Sequence, residues 1–250
     1  MIIGHMYQYL FVELPNTGST AIRRELCELY GGEPILSKHS YYEEFLRTAS
    51  PEEKTYFTFS CIRNPLDIAV SLYFKYKTNW KDVFTDPELT GLRPPTPVQR
   101  RYEFIQRNDA DFATYFKRFY RLPYDDWSSL SHKAFDYVIR FERLDRDFAQ
   151  VLDMLKIPQQ RPLAVVNRTA EKSDDFWSYY TPEIRNQAVK RFGPFMERWS
   201  YGFPSDWGDT SVTFSSRFLF EIMGLFRRSF QWSSPTRSRL FLKLADLLHA

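Results

Sequence analysis

The stretch LFVELPNTGSTAIRREL, Leu10–Leu26, decides the fold. Leu10, Phe11 and Val12 form an apolar run that ends at Pro15, and a short polar turn follows, Asn16-Thr17-Gly18-Ser19-Thr20. Beyond it Ile22, Leu26 and Leu29 recur at helical spacing, with Arg23, Arg24, Glu25 and Glu28 on another face. The pattern predicts strand, loop and helix. Such a loop aims backbone N–H groups at whatever sits over the helix N-terminus, where the helix dipole also favours negative charge. The expected ligand is an anion, although the loop carries no lysine.

Outward from that stretch, the first strand reads as 7–14 and the first helix as 19–30, stopped by Gly31-Gly32. EPILSKHS gives a short strand ending near His39, and YYEEFLRT a short helix closed by Ser50-Pro51. KTYFTFSCIR, 54–63, reads as a buried strand rich in aromatic and β-branched residues. Asn64-Pro65 is an N-cap followed by proline at the first helical position, opening the helix PLDIAVSLYFKYKT. Residues 79–100 lose periodicity and gather prolines in LRPPTPVQ, as a loop or lid does. Two helical stretches follow, at about 100–108 and 111–121. FDYVIRFERL, 135–144, is a strand leading into the helix LDRDFAQVLDMLKI, which Pro158 ends, and a further helix lies near 181–191, with Gly193-Pro194 bending the chain after it.

Strands alternating with helices imply an α/β fold of three layers around a central parallel sheet. It carries a P-loop-like strand-loop-helix, helical insertions and a helical C-terminal tail. The expected organisation is one domain over 1–209, with 79–130 as insertion and acceptor region, and an extension over 210–250.

Composition bounds the rest. A chain of 250 residues, 43% hydrophobic and 18% aromatic, builds a real core, and nine glycines exclude fibrous and low-complexity classes. A net charge of +3 is too mild to argue for nucleic acid. Cys27 and Cys61, separated and expected to be buried, read as free thiols in a reducing compartment. No signal-peptide pattern and no apolar run of about 18 residues is present, so a cytoplasmic protein is expected. The sequon Asn167-Arg168-Thr169 is irrelevant in that setting. In the tail, FSSRFLFEIMGLFRRSF and SRLFLKLADLLHA are apolar with interspersed arginines. Such a segment either lies peripherally on an anionic membrane or packs on the core or a second subunit.

A second chemical element is IRNPLDIAVSLYFKY. Arg63 ends a strand, and Ser71 follows eight residues later, two turns into the next helix. Asn64 and Ser71 share a helix face, separated by a rise of roughly 10 Å. A guanidinium folding back across that gap can meet the hydroxyl at one anion, and arginine suits multidentate phosphate binding.

Together these features resemble the sulfotransferase family, in particular its carbohydrate-type and bacterial members, which use 3′-phosphoadenylyl sulfate (PAPS) as sulfonate donor. Pro15 to Ala21 matches the loop that cradles the 5′-phosphosulfate, and Arg63, Asn64, Pro65, Asp67, Ser71 and Tyr73 match the element that binds the 3′-phosphate. FERLDRDFAQVLDMLKIP, VVNRT and YYTPEIRNQAVKRFGPFMERWSYGF are similar to later family segments, so the resemblance runs in order over about 7–203. It implies that Asn16, Thr17, Gly18, Ser19, Thr20 and Ala21 hold the phosphosulfate, through backbone amides and the Ser19 and Thr20 hydroxyls. It implies that Arg63 and Ser71 hold the 3′-phosphate. Arg168 is either a further ligand there or a solvated arginine, and Asp67 either a ligand or a helix cap. An acceptor hydroxyl, on a glycan or glycolipid, then attacks sulfur and leaves adenosine 3′,5′-bisphosphate. The layout requires no metal, and no cluster of ligands with metal spacing is present.

The chain departs from the family at Asn16, where most relatives place a lysine or arginine against the leaving-group oxygen. An amide donates a hydrogen bond there but supplies no charge. Either turnover is slow, or Arg23, Arg24 or Lys38 supplies the charge, or the protein is a non-catalytic nucleotide-binding or interaction protein. The candidate catalytic residues are therefore Asn16 and His39. His39 follows Lys38 as in the family's KH pair and suits a general base, the other reading being a structural histidine. Glu43 and Glu44 are the alternatives, while His5, His132 and His249 have no motif support. A kinase is disfavoured because G-x-x-x-x-G-K-[ST] is absent.

Overall fold

The computed structural model describes residues 1–86, 88, 96–124, 134–164 and 169–232. They divide into two compact units, Met1–Asn64 with Asp126–Arg168, and Pro65–Asp125 with Thr169–Ala250.

The first unit is built on a five-stranded sheet ordered β3-β1-β2-β4-β5. The strands are β1 (Ile2–Gly4), β2 (Tyr9–Val12), β3 (Glu33–Pro34), β4 (Phe57–Ile62) and β5 (Tyr137–Arg140). Strands β2, β4 and β5 run parallel, with Phe11 opposite Phe59 and Ser60 opposite Val138. Strand β1 pairs antiparallel with both β2 and β3, so the sheet is mixed around a parallel core. The first strand of the chain is thus Ile2–Gly4 rather than 7–14. It folds onto β2 as a tight hairpin too short to show alternation.

Alternation along β2 covers both faces of the sheet. Tyr9 and Phe11, with Phe59, Cys61 and Ile139, pack under α1 (Ser19–Leu29) and α6 (Leu144–Met154) through Ile22, Leu26, Phe148 and Val151. Leu10 and Val12 face the other way, toward Phe45 of α2 (Tyr42–Thr48) and toward Tyr56. The three layers expected from the sequence are present in this unit. Helix α1 ends where Gly31 takes a left-handed φ of 64° and the Gly32 N–H returns to the Leu26 carbonyl at 2.9 Å.

The expected strand running to His39 is instead two residues long. The Ile35 N–H still donates to the Met1 carbonyl at 3.1 Å, Leu36 then turns the chain with φ 54°, and a turn closes from Ser40 N–H to the Ser37 carbonyl at 3.1 Å. Lys38 and His39 are the two central residues of that turn. The cysteines form no disulfide, and only Cys61 is buried. Cys27 is exposed because it lies one position beyond Leu26, rotated off the inward face of α1.

The second unit is helical. Its centre is α3 (Pro65–Lys77), buried at Leu66, Ala69, Val70, Ser71 and Tyr73. Around it stand α4 (Thr96–Asn108), α5 (Phe112–Phe119) and α7 (Pro182–Arg198), joined by Ile105, Phe112, Tyr115, Phe116, Ile184 and Phe192. Tyr73 donates to the Ala110 carbonyl and Tyr180 to the Leu66 carbonyl, each at 2.9 Å, which satisfies two buried phenols. Helix α7 continues through Gly193-Pro194 to Arg198, past the expected end near 191, and Gly193 leaves room for Val212 against the helix. The tail helix α8 (Phe214–Trp232) packs on α7 through buried Phe220, the Arg217–Glu197 pair at 2.8 Å and the Arg198–Glu221 pair. No helix among the described residues is long and apolar enough to cross a membrane.

Candidate functional site

The site is built at the end of β2. Thr17 and Ser19 are buried, and both hydroxyls donate to the Leu14 carbonyl at 2.9 Å. Those two protons shape the loop, so toward an anion these residues offer backbone N–H. Gly18 carries φ 82°, a left-handed conformation. A Cβ there would stand 2.9 Å from Leu144 Cδ2 and 3.1 Å from Phe141 Cδ2. Glycine is therefore required twice, for the turn and for the close approach of the segment after β5. Asn16 is also left-handed, at φ 63°.

Helix α1 then opens without a side-chain cap and without an acidic residue in its first turn. Of its first amides the Ala21 N–H donates to the Gly18 carbonyl at 3.0 Å, and the start of the helix presents the positive end of the helix dipole. Arg63, at the end of β4, is held beside this loop: Nη1 donates to the Asn16 carbonyl at 3.1 Å, and the guanidinium lies 4.1 Å from the centre of the Phe141 ring. The Asn64 N–H donates to Glu142 Oε1 at 2.6 Å. The short turn Phe141–Arg143 after β5 thus fixes both the loop and the Arg63-Asn64 corner.

His39 turns Nδ1 onto the Glu13 carbonyl at 3.1 Å. A carbonyl only accepts, so Nδ1 carries the proton and the neutral ring keeps its lone pair on Nε2. Desolvation of the inward edge, with help from the Lys38 charge, holds the imidazole below its ordinary value, against the opposing carbonyl bond and Glu13. Near neutral pH this histidine is an unprotonated base with a fixed tautomer. Beside it Lys38 Nζ lies 3.1 Å from Thr20 Oγ1. Arg23 Nη1 is 2.6 Å from Oε2 of Glu13, a fully buried carboxylate, and Arg24 Nε is 2.8 Å from Glu28 Oε1.

The sequence-derived residues Asn16, Thr17, Gly18, Ser19, Thr20, Ala21, Arg63 and His39 all belong to the first unit, and the structure gathers them around one loop. Ser71 is buried on α3 of the second unit. Asp67, also there, pairs with Lys172 Nζ at 2.7 Å. Arg168, Asn167, His132 and His249 lie outside the described residues. Glu43 and Glu44 open α2, and His5 is occupied with the Tyr56 hydroxyl at 3.0 Å. The sequence reading missed Glu13, Phe141, Glu142 and Lys172. Of these only Phe141 and Glu142 carried a signal, as part of the FERL segment. Among the described residues no three His, Cys, Asp or Glu side chains are grouped to hold a metal ion.

A model of the sulfotransferase family matches residues 1–194. No curated protein and no solved structure matches the chain.

Proposed function

The chain belongs to the sulfotransferase family, and from that premise we propose that it moves a sulfonate group from PAPS to an acceptor hydroxyl on a glycan or glycolipid. The observation that carries this reading is the uncapped α1 N-terminus behind a left-handed Gly18, with Arg63 tied to the same loop. An anionic donor fits that environment: amides, helix dipole and guanidinium all favour negative charge, and no acid occupies the first turn. PAPS supplies an activated sulfonate on a phosphate leaving group. The amides of Thr17 to Thr20 hold the phosphosulfate end, the Ala21 amide being taken by the Gly18 carbonyl, and we assign the 3′-phosphate to Arg63, Ser71 and Arg168 on the motif match. His39 Nε2 takes the acceptor proton as the new O–S bond forms. The rest of the protein's work is positioning and charge stabilisation. We place the protein in a reducing, cytoplasmic setting, with the tail segment 210–250 available for peripheral membrane contact or self-association.

Asn16 favours a second reading, a nucleotide-binding protein without turnover, because the loop position itself carries no cation. Labelled-sulfonate transfer to a panel of glycans, glycolipids and phenols separates the two. Transfer supports the enzyme. Tight binding of adenosine 3′,5′-bisphosphate with no transfer to any acceptor supports the binding module, and absence of both refutes the donor assignment.

A further inference from the structure

We infer that Lys38, presented by the turn after β3, supplies the cation that the loop lacks at Asn16 and acts on the leaving-group oxygen of the sulfonate donor; the inference rests on the sulfotransferase reading. Three cations lie near enough in sequence to compete for this role, and their partners separate them. Arg23 is committed to Glu13 at 2.6 Å, where it compensates a carboxylate with no exposed surface. Arg24 reaches toward the C-terminal end of α1, to Glu28, which Arg161 also holds at 2.5 Å. Lys38 alone of the three points at the opening of α1, with Nζ 3.1 Å from the Thr20 hydroxyl.

No carboxylate among the described residues pairs with Lys38. An ammonium held beside the positive end of a helix is electrostatically unfavourable on its own. The arrangement becomes favourable when an anion enters between the ammonium and the α1 amides. The backbone is shaped for this purpose as well. Leu36, a bulky residue, adopts φ 54°, and the turn closed by Ser37 and Ser40 sets Lys38 and His39 side by side. Lys38 then faces Thr20 while His39 faces the Glu13 carbonyl, so one turn brings a cation and a base to one loop.

Atoms and electrons balance in a single displacement. The acceptor oxygen forms a bond to sulfur and loses its proton to His39 Nε2. The bond between sulfur and the bridging oxygen breaks, and its electron pair stays on that oxygen, which becomes a phosphate oxygen of adenosine 3′,5′-bisphosphate. The Lys38 ammonium neutralises the charge that develops there.

The test uses the full chain, with adenosine 3′,5′-bisphosphate binding by calorimetry and labelled-sulfonate transfer from PAPS as two readouts. Lys38→Gln should weaken nucleotide binding about tenfold and slow transfer by about 10²–10³, as for loss of one group aimed at developing charge. Lys38→Arg should retain most of both, and Arg24→Gln should change neither. In the Lys38→Gln background, Asn16→Lys should recover transfer, whereas in the wild type the added lysine should slow it by like-charge repulsion. Wild-type binding with a Lys38→Gln variant that binds and transfers normally overturns the assignment to Lys38 alone. A wild type that binds no adenosine 3′,5′-bisphosphate overturns the sulfotransferase reading itself, and the Lys38 assignment with it.

Discussion

Two glycines bracket α1, and replacing each with alanine separates backbone conformation from packing. Gly31 has φ 64°, and a Cβ added there would meet nothing within 4 Å; Gly18 has φ 82°, and its Cβ would meet Leu144 Cδ2 at 2.9 Å and Phe141 Cδ2 at 3.1 Å. Gly31→Ala therefore carries only the left-handed penalty for an L residue, about 1–2 kcal/mol. Gly18→Ala carries the same penalty plus overpacking of about 1–3 kcal/mol, for a total of about 2–5 kcal/mol. Urea unfolding of both variants measures the difference. Calorimetry with adenosine 3′,5′-bisphosphate adds a second readout: Gly18→Ala should weaken binding because the loop amides shift, and Gly31→Ala should not, because it lies at the far end of the helix. If Gly18→Ala is no less stable than Gly31→Ala, the turn after β5 does not press on the loop and the account of how the site is held fails.

Arg63→Ala should weaken adenosine 3′,5′-bisphosphate binding by about 1.5–3 kcal/mol, as for a hydrogen bond to a charged group; adenosine 5′-monophosphate binding equally well to the wild type would refute the 3′-phosphate assignment. Because burial lowers the His39 titration, the acidic limb of kcat/KM should fall below the ordinary histidine value of about 6.5, and His39→Ala should abolish that limb while reducing turnover by about 10²–10⁴. The sign for stability follows from the same shift: the unfolded chain takes up this proton at the higher pH, so the contribution is intact above about pH 6.5 and is lost as pH falls toward the folded value. Exposed Cys27 and buried Cys61 should separate on alkylation, with mass spectrometry finding only Cys27 modified in the native protein and both in denaturant. Partial desolvation raises the Cys27 thiol and full burial the Cys61 thiol, so even Cys27 should react slowly at neutral pH.

What could be read from the sequence was what depends on near neighbours. The apolar run of β2, the helical face of α1 and the proline opening α3 are local patterns, and each marks an element of the kind it predicts. What escaped depends on partners far along the chain. Glu142 reaches Asn64 across 78 residues, and Asp67 finds Lys172 only through the packing of its unit. The turn carrying Lys38 and His39 reads as strand because Ile35 and Leu36 are apolar. Leu36 adopts a left-handed φ of 54° immediately after the Ile35 N–H meets the Met1 carbonyl, and that turn outweighs the pattern. Periodicity likewise put Arg23 and Arg24 on one charged face, yet it could not say that a buried Glu13 takes one and Glu28 the other.

Asn16 shows why a cation can leave its usual place without emptying the site of charge. The loop asks two things of that position, a left-handed turn and a positive charge. Asparagine adopts φ 63° more readily than lysine does, because its short side chain tolerates that region. The backbone carbonyl set by this turn is the one that receives Arg63. Charge, by contrast, is required at a point in space and is indifferent to the residue number that delivers it. A lysine arriving from the turn after β3 meets that requirement while position 16 keeps the turn. Asn16→Lys in the wild type should therefore lose on both counts, through backbone strain of about 1–2 kcal/mol and through repulsion from Lys38. Urea unfolding and transfer rate should fall together. An Asn16→Lys variant as stable as the wild type and faster in transfer would mean that the loop had been short of charge all along.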